Sequence, residues 1–279
     1  MDDRRAPVPL TDFQRRLLAA LAESPNEERY LAGGAAMHFA PNSVRFSDDL
    51  DFFHDSEARV ASAFAQDRRT LETRGYRVET DLALPGFVRA RVSRGDEATR
   101  IDWAHDSAWR FMPLVRDPLG GLLLHPIDLA INKVLALAGR DEPRDFVDIL
   151  FVHHHVLALA ALSWAAVGKD PGLTPLSLVE LLRRHGRYRP EDFGRLNLAQ
   201  PFDLHEAKQT WLAALEECER FARERPADEL GCLYFASATD RFVVPRDGEP
   251  LAVQGIVTHF GTPGGVLPRV ADARIERPG

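Results

Sequence analysis

Apolar and polar positions follow two different periods along this chain. Near the start, Phe13, Leu17, Leu18 and Leu21 recur at helical spacing and fall on one face, with Thr11 and Gln14 spaced as a capping box, so residues 11–23 predict a helix. Residues 29–32 (RYLA) predict a short strand entering Gly33-Gly34. Residues 35–39 predict the start of a helix, which Pro41-Asn42 ends. Residues 46–53 (FSDDLDFF) predict a strand. Ser56 stands where it would cap a helix running to about Arg74 and stopping at Gly75. Residues 76–82, 87–93 and 99–104 read as strands, the last two joined by a hairpin turn at Arg94-Gly95-Asp96-Glu97. Beyond about residue 113 the period becomes helical. Helices are predicted over 126–137 (ended by Gly139), 143–156, 157–167, 177–185 and 204–225. The tail after Leu230 holds short strand-like runs (CLYFA, RFVVP, AVQGIVTHF) broken by Gly and Pro. The expected fold class is α+β: an α/β domain over 1–115, a mainly helical domain over 116–228, and a short β-rich tail over 229–279.

FSDDLDFF puts three carboxylates into a run that otherwise reads as a buried strand. Side chains alternate along a strand, so Asp49 and Asp51 project to one side and Leu50 and Phe52 to the other. Two readings fit: a solvated, acid-rich edge strand, or a clamp whose mutual repulsion is relieved by a divalent cation. Gly33-Gly34, between a strand and a helix, offers backbone N–H groups suited to a phosphate. Asp102, in the strand-like RIDW, would face Asp49 and Asp51 from an antiparallel neighbour. Ser47 either orients these acids or simply begins the strand.

Lys133 and Arg140 stand seven residues apart, two helical turns, and share a face if the helix continues that far. Together they would offset the charge of a triphosphate; as lone features they also read as solvated surface residues. Arg144, Asp145 and Asp148 have i, i+1, i+4 spacing. Arg144–Asp148 fits a helix salt bridge, and Asp145 and Asp148 are open to structural or functional roles.

Composition narrows the classes. Hydrophobic residues make up 45% and charged residues 28%, a globular balance, and the net charge of −7 restricts any nucleic-acid contact to a local patch. One candidate patch is Arg183, Arg184, Arg187 and Arg189 with His185 and Tyr188, for which a solvated helix end is the commoner reading. Two cysteines, Cys218 and Cys232, without CxxC spacing argue against a disulfide framework and against a cysteine zinc site, so a cytoplasmic location is expected. MDDRRAPVPL has no apolar core of a signal peptide, and the apolar run over 156–168 is too short to span a bilayer, so no membrane partner is expected. His153-His154-His155 cannot form one coordination face on a helix, because consecutive side chains diverge. There is no Walker A pattern, no HExxH and no nucleophile elbow.

GGAA, followed by RFSDDLDFF, resembles the first motif of the polymerase-β-like nucleotidyltransferase superfamily. The similarity is strongest to the AbiEii-type toxins of abortive-infection and toxin–antitoxin systems, including the mycobacterial MenT enzymes. INKVLALAGRDEPRDFVDI, residues 131–149, resembles their lysine-to-arginine motif followed by the R-D-x-x-D helix. The resemblance spans roughly residues 30–155. It implies a nucleotidyltransferase α/β domain with a mixed sheet, followed by a helical domain. It implies Mg²⁺, two ions by expectation, held by Asp49, Asp51 and Asp102, with Asp102 alternatively a general base. Nucleotide contacts would come from Gly33, Gly34, Ser47, Lys133, Arg140 and Asp148. The implied reaction takes NMP from an NTP to an acceptor hydroxyl, with the 3′ end of a tRNA or other RNA as expected acceptor and a cognate antitoxin as partner. Where relatives often carry Ser or Thr after the two glycines, Ala35 stands here. That departure keeps two alternatives open: a non-catalytic nucleotide-binding regulator, and a small-molecule (antibiotic-type) nucleotidyltransferase.

Overall fold

The structure is a computed structural model that describes residues 10–23, 29–37 and 43–269. Residues 1–9, Phe39, Pro41 and Asn42, for which expectations were stated above, lie outside it. The chain opens with α1 (Asp12–Ala22), β1 (Tyr30–Ala32), α2 (Gly33–Met37), β2 (Asp49–His54) and α3 (Glu57–Thr73). The hairpin β3 (Arg77–Leu84) and β4 (Phe87–Arg94) follows, then β5 (Glu97–His105) and the short strands β6 (Trp109–Arg110), β7 (Val115–Asp117) and β8 (Gly121–Leu123). Next come α4 (Pro126–Gly139), α5 (Pro143–His155), α6 (Leu159–Lys169), α7 (Pro175–Arg184) and α8 (Leu204–Glu224). The tail contributes β9 (Leu233–Ala236), β10 (Arg241–Phe242), β11 (Ile256–His259) and β12 (Thr262–Pro263).

Seven strands form one mixed sheet in the order β3-β4-β5-β2-β1-β8-β7. β4 and β5 pair antiparallel around the expected turn at Gly95, whose φ of 60° suits glycine. β2 pairs with β5 in parallel, with Asp51 opposite Asp102. The antiparallel neighbour expected for Asp102 is therefore corrected. Between β2 and β5 the chain runs through α3 and a whole hairpin, which returns β5 in the direction of β2. The carboxylates still meet, because directly paired residues share a face in either pairing sense.

β2 also begins later than expected, at Asp49 rather than Phe46. The preceding residues pair with a distant loop. Phe46 N–H donates to the Asn197 carbonyl at 2.8 Å, Ala199 N–H donates to the Val44 carbonyl at 2.9 Å, and Arg45 bridges to Leu198. At the other end of this connection, α1 carries the expected capping box, and the Gln14 amide donates to the Ser47 carbonyl at 3.0 Å.

Leu50, Phe52, Ile101 and Trp103 point away from the acids and are buried with Val60 and Leu71 of α3. Asp67, also buried, accepts from the Trp103 indole at 2.8 Å and pairs with Arg29. In the helical part, Phe146 packs edge-on against Trp211 with ring centroids 5.4 Å apart and lies near Tyr188 and Phe193. Among the described residues no single helix is long and apolar enough to cross a membrane; α5 and α6 pass by length and composition only as a pair bent by 114°.

The tail folds back on both halves. β12 pairs with β6, and the His259 ring meets the Phe111 carbonyl at 2.9 Å. β9 packs on α6, where two glycines let backbones touch: a Cβ on Gly168 would lie 2.5 Å from the Gly231 carbonyl oxygen. Alanine inside an exposed helix normally adds stability over glycine. Here Gly168→Ala is expected to lower stability by about 1–3 kcal/mol, the range for overpacking, measured by urea denaturation. Unchanged or increased stability would show that this contact yields.

Candidate active site

A cleft of about 330 Å³ opens between the acid-bearing face of the sheet and α4, and is lined by residues of β2, β4, β5, α2 and α4 and by Arg140 and Arg144. Asp49, Asp51 and Asp102 converge there. Asp49 and Asp51 share a face of β2 by alternation, and Asp102 joins them through the β2–β5 register.

Gly33 and Gly34 line the same cleft. Gly33 has φ of 61°, and a Cβ there would fall 1.9 Å from Asp51 Oδ2. A Cβ on Gly34 would lie 2.8 Å from Arg45 Nη2 and 3.0 Å from Ser47 Oγ. The pair therefore admits Asp51 and Arg45 to the cleft as well as exposing backbone. Ser47 Oγ donates to the Asp49 carbonyl at 3.0 Å and lies 3.4 Å from Asp49 Oδ1, which fixes the start of β2. Ala35 is fully buried.

The three carboxylates have unequal surroundings. Burial pushes Asp49 up, but the Arg100 guanidinium, backed by Arg144 and Arg45, outweighs it and holds Asp49 below the usual carboxylate range. Asp102 accepts a bidentate pair from Arg89, Nε at 2.9 Å and Nη2 at 2.7 Å. Asp51 receives no side-chain hydrogen bond or ion pair among the described residues. Burial, with the Asp49 charge added, pushes its carboxyl up to about 7 against the pull of Lys133.

A carboxylate without a donor, placed between two others, is the donor set a hard divalent cation takes, and it fits Mg²⁺ by charge and by ligand type. The set is not preassembled: among the described residues no three His, Cys, Asp or Glu side chains are grouped tightly enough to hold a metal ion as they stand. Guanidinium groups occupy Asp49 and Asp102 instead.

Behind the acids lies a second layer of charge. α4 ends at Gly139, and Arg140 caps it in an extended conformation, so Lys133 and Arg140 do not lie on one continuous helix as the spacing allowed. They meet at Asp145: Lys133 Nζ at 3.1 Å and Arg140 Nε at 2.7 Å. Burial pushes Asp145 up, and these two cations bring it below the usual range. Asp148 is fully buried; Arg45 grips both of its oxygens, Nε on Oδ1 at 2.6 Å and Nη2 on Oδ2 at 2.7 Å, and Lys133 Nζ lies 2.7 Å from Oδ2 as well. Arg144, considered above as the helical partner of Asp148, approaches Asp49 at 3.8 Å. Lys133 and Arg140 line the cleft directly, whereas Asp148 lies behind the lining and contacts Arg45 and Lys133.

Sequence reasoning did not single out Arg45, Arg89 or Arg100, and read Arg144 only as a helix salt-bridge partner. Arg100 was findable, because it stands two before Asp102, as Asp49 stands two before Asp51. Arg89 becomes visible only with the β4–β5 register, which sets it opposite Asp102. The basic run that begins in the last turn of α7 stands outside the cleft lining. Arg183 pairs with Glu219 at 2.8 Å, Arg184 pairs with Glu180, and Tyr188 is buried among Phe146 and Phe193. Of the three histidines, His153 Nδ1 accepts the Leu159 N–H at 3.0 Å.

A family model described as "Nucleotidyl transferase AbiEii toxin, Type IV TA system" matches residues 16–231, well over half of the chain. The chain belongs to the AbiEii nucleotidyltransferase toxin family. It is accordingly a nucleotidyltransferase, and its expected α+β fold with a mixed sheet is the one observed. Among solved structures it is similar to MenT4, a nucleotidyltransferase toxin from Mycobacterium tuberculosis H37Rv, with a TM-score of 0.50 and 18% identity over 77% of this chain and 83% of that one. JHP933 from Helicobacter pylori matches with a TM-score of 0.45 and 18% identity over 75% of this chain and 90% of its own. No curated protein matches the sequence.

Asp148→Ala strips two buried cations of a partner and is expected to destabilise the fold by about 3–5 kcal/mol. Asp51→Asn removes a half-buried charge that has no side-chain donor among the described residues and is expected to leave the metal-free protein at least as stable as wild type. Denaturant titrations of both variants at neutral pH check this, and equal losses would contradict the division between a supporting layer and a reactive layer.

Proposed function

We propose that this protein carries out Mg²⁺-dependent transfer of NMP from an NTP to an acceptor hydroxyl on RNA, with a tRNA 3′ end as the preferred acceptor, and that it acts as a toxin restrained by a cognate antitoxin. The observation that carries this reading is Asp51: a half-buried carboxylate between Asp49 and Asp102, with no side-chain donor among the described residues, in a cleft otherwise crowded with cations.

In this reading Asp49, Asp51 and Asp102 hold the metal ions. When bound, a pair of Mg²⁺ would neutralise charge on the attacking and leaving oxygens of an in-line displacement. In this reading Asp102, once freed of Arg89, accepts the proton of the acceptor hydroxyl through a carboxylate oxygen. The hydroxyl oxygen bonds to the α-phosphorus as the bond from that phosphorus to the β-bridging oxygen breaks, and pyrophosphate leaves. Gly33 and Gly34 let the triphosphate approach the backbone, while Lys133 and Arg140 supply positive charge at the back of the cleft. Ser47 orients Asp49. Asp148 positions Arg45 and Lys133 and does not touch nucleotide itself.

Incubation of purified protein with Mg²⁺, each labelled NTP in turn and total RNA tests the proposal. Label is expected in RNA, in a tRNA-sized band, and is expected to fall to background with Asp51→Asn. Nucleotide binding without transfer would favour a regulator instead, and label appearing on a small molecule would favour an antibiotic-type enzyme; either result overturns the RNA reading. Induced expression is expected to arrest growth with wild type and not with Asp51→Asn.

A further inference from the structure

The cations of the cleft fall into two groups. Lys133 is nearly buried and is already shared between Asp145 and Asp148, Arg140 is tied to Asp145, and Arg45 is tied to Asp148. Much of that positive charge is therefore neutralised within the protein. The remaining cations, Arg89, Arg100 and Arg144, contact the very carboxylates assigned to metal. A guanidinium and a divalent ion compete for the same oxygens. The Arg89 fork takes one lone pair on each oxygen of Asp102, so an ion that approaches along that edge must move it, and an ion on the remaining lone pairs competes with it for the same charge.

Arg89 is built to move. Its side chain is 36% exposed, whereas that of Asp102 is 9% exposed. Its guanidinium also lies 5.3 Å from the centroid of the Phe87 ring, a resting surface beside the cleft that needs no carboxylate.

We infer that Arg89 is an exchangeable counterion: it holds Asp102 in the ion-free protein, yields that carboxylate to the arriving metal, and then serves the triphosphate as a positive group. The inference rests on the metal-dependent reading above and deepens it. Metal binding and polyphosphate binding become coupled, because the ion that displaces the guanidinium also frees the charge that receives the polyanion. Arg89 is thus a positioning residue before loading and a substrate-contacting residue afterwards.

The inference requires effects of opposite sign from one substitution. Arg89→Gln removes the competitor, so Mn²⁺ alone, followed by electron paramagnetic resonance, is expected to bind the nucleotide-free protein about tenfold more tightly than wild type. That factor is the lower end of a charge-assisted pair once partial exposure is discounted. At saturating Mn²⁺ the same variant is expected to bind inorganic triphosphate severalfold more weakly, measured by calorimetry. Arg91→Gln, exposed on the same strand, controls for loss of one positive charge and is expected to leave Mn²⁺ affinity near wild type. Thermal melts establish that each variant is folded. Unchanged or weaker Mn²⁺ binding by Arg89→Gln, an equal gain in Arg91→Gln, or wild-type affinity for triphosphate would each overturn the inference. Asp51→Asn separates the two levels of argument. If it abolishes Mn²⁺ binding while Arg89→Gln leaves that binding alone, only the inference fails. If it leaves Mn²⁺ binding intact, the ion lies elsewhere, and both the inference and the reading beneath it fail.

Discussion

Two buried carboxylates on one turn of α5 hold the site together. Asp145 and Asp148 gather Arg45 from ahead of β2, Lys133 from the middle of α4 and Arg140 from its end. Burying such charges is unfavourable unless every partner is present, so the cluster forms only when three separate stretches of chain arrive together. This condition fixes the distance between the sheet and α4, and hence the width of the cleft. It also accounts for a helix that stops at Gly139: Arg140 must leave the helical path to reach Asp145.

The cleft then works by imbalance. Asp49 and Asp102 have guanidinium partners, whereas Asp51, close against Gly33, has no side-chain donor among the described residues. A fully satisfied triad would have little reason to take up a cation, and a wholly unsatisfied one would repel itself during folding. In the proposed reading, one carboxylate without a side-chain donor, between two that give up their guanidinium groups to metal, would combine a foldable protein with an affinity for divalent ions.

Much of this was legible in the chain itself, for physical reasons. Strand alternation alone put Asp49 and Asp51 on one side, and the turn at Gly95 and the capping box at Thr11 are local devices that need no tertiary information. What escaped depended on distant partners. The direction of β5 relative to β2 follows from the path through α3 and the hairpin, not from either strand. Phe46 was read as strand because it is apolar, yet it answers to Asn197. Asp148 looked like one end of an i, i+4 pair with Arg144, but its strongest partner, Arg45, lies 103 residues away. Arg89 carried no mark until register set it opposite Asp102. In each case the local rule was sound, and a long-range contact took precedence.

Gly33 and Asp51 lay claim to a single volume, since a methyl group on one would overlap an oxygen of the other. The two positions are therefore not free to change in any order. A descendant that gives up the acid can afterwards accept a larger residue in place of the glycine, but once that residue is in place the acid can no longer return to its seat. Loss of the chemistry in this lineage would behave as a ratchet, easy to enter and sterically barred on the way back.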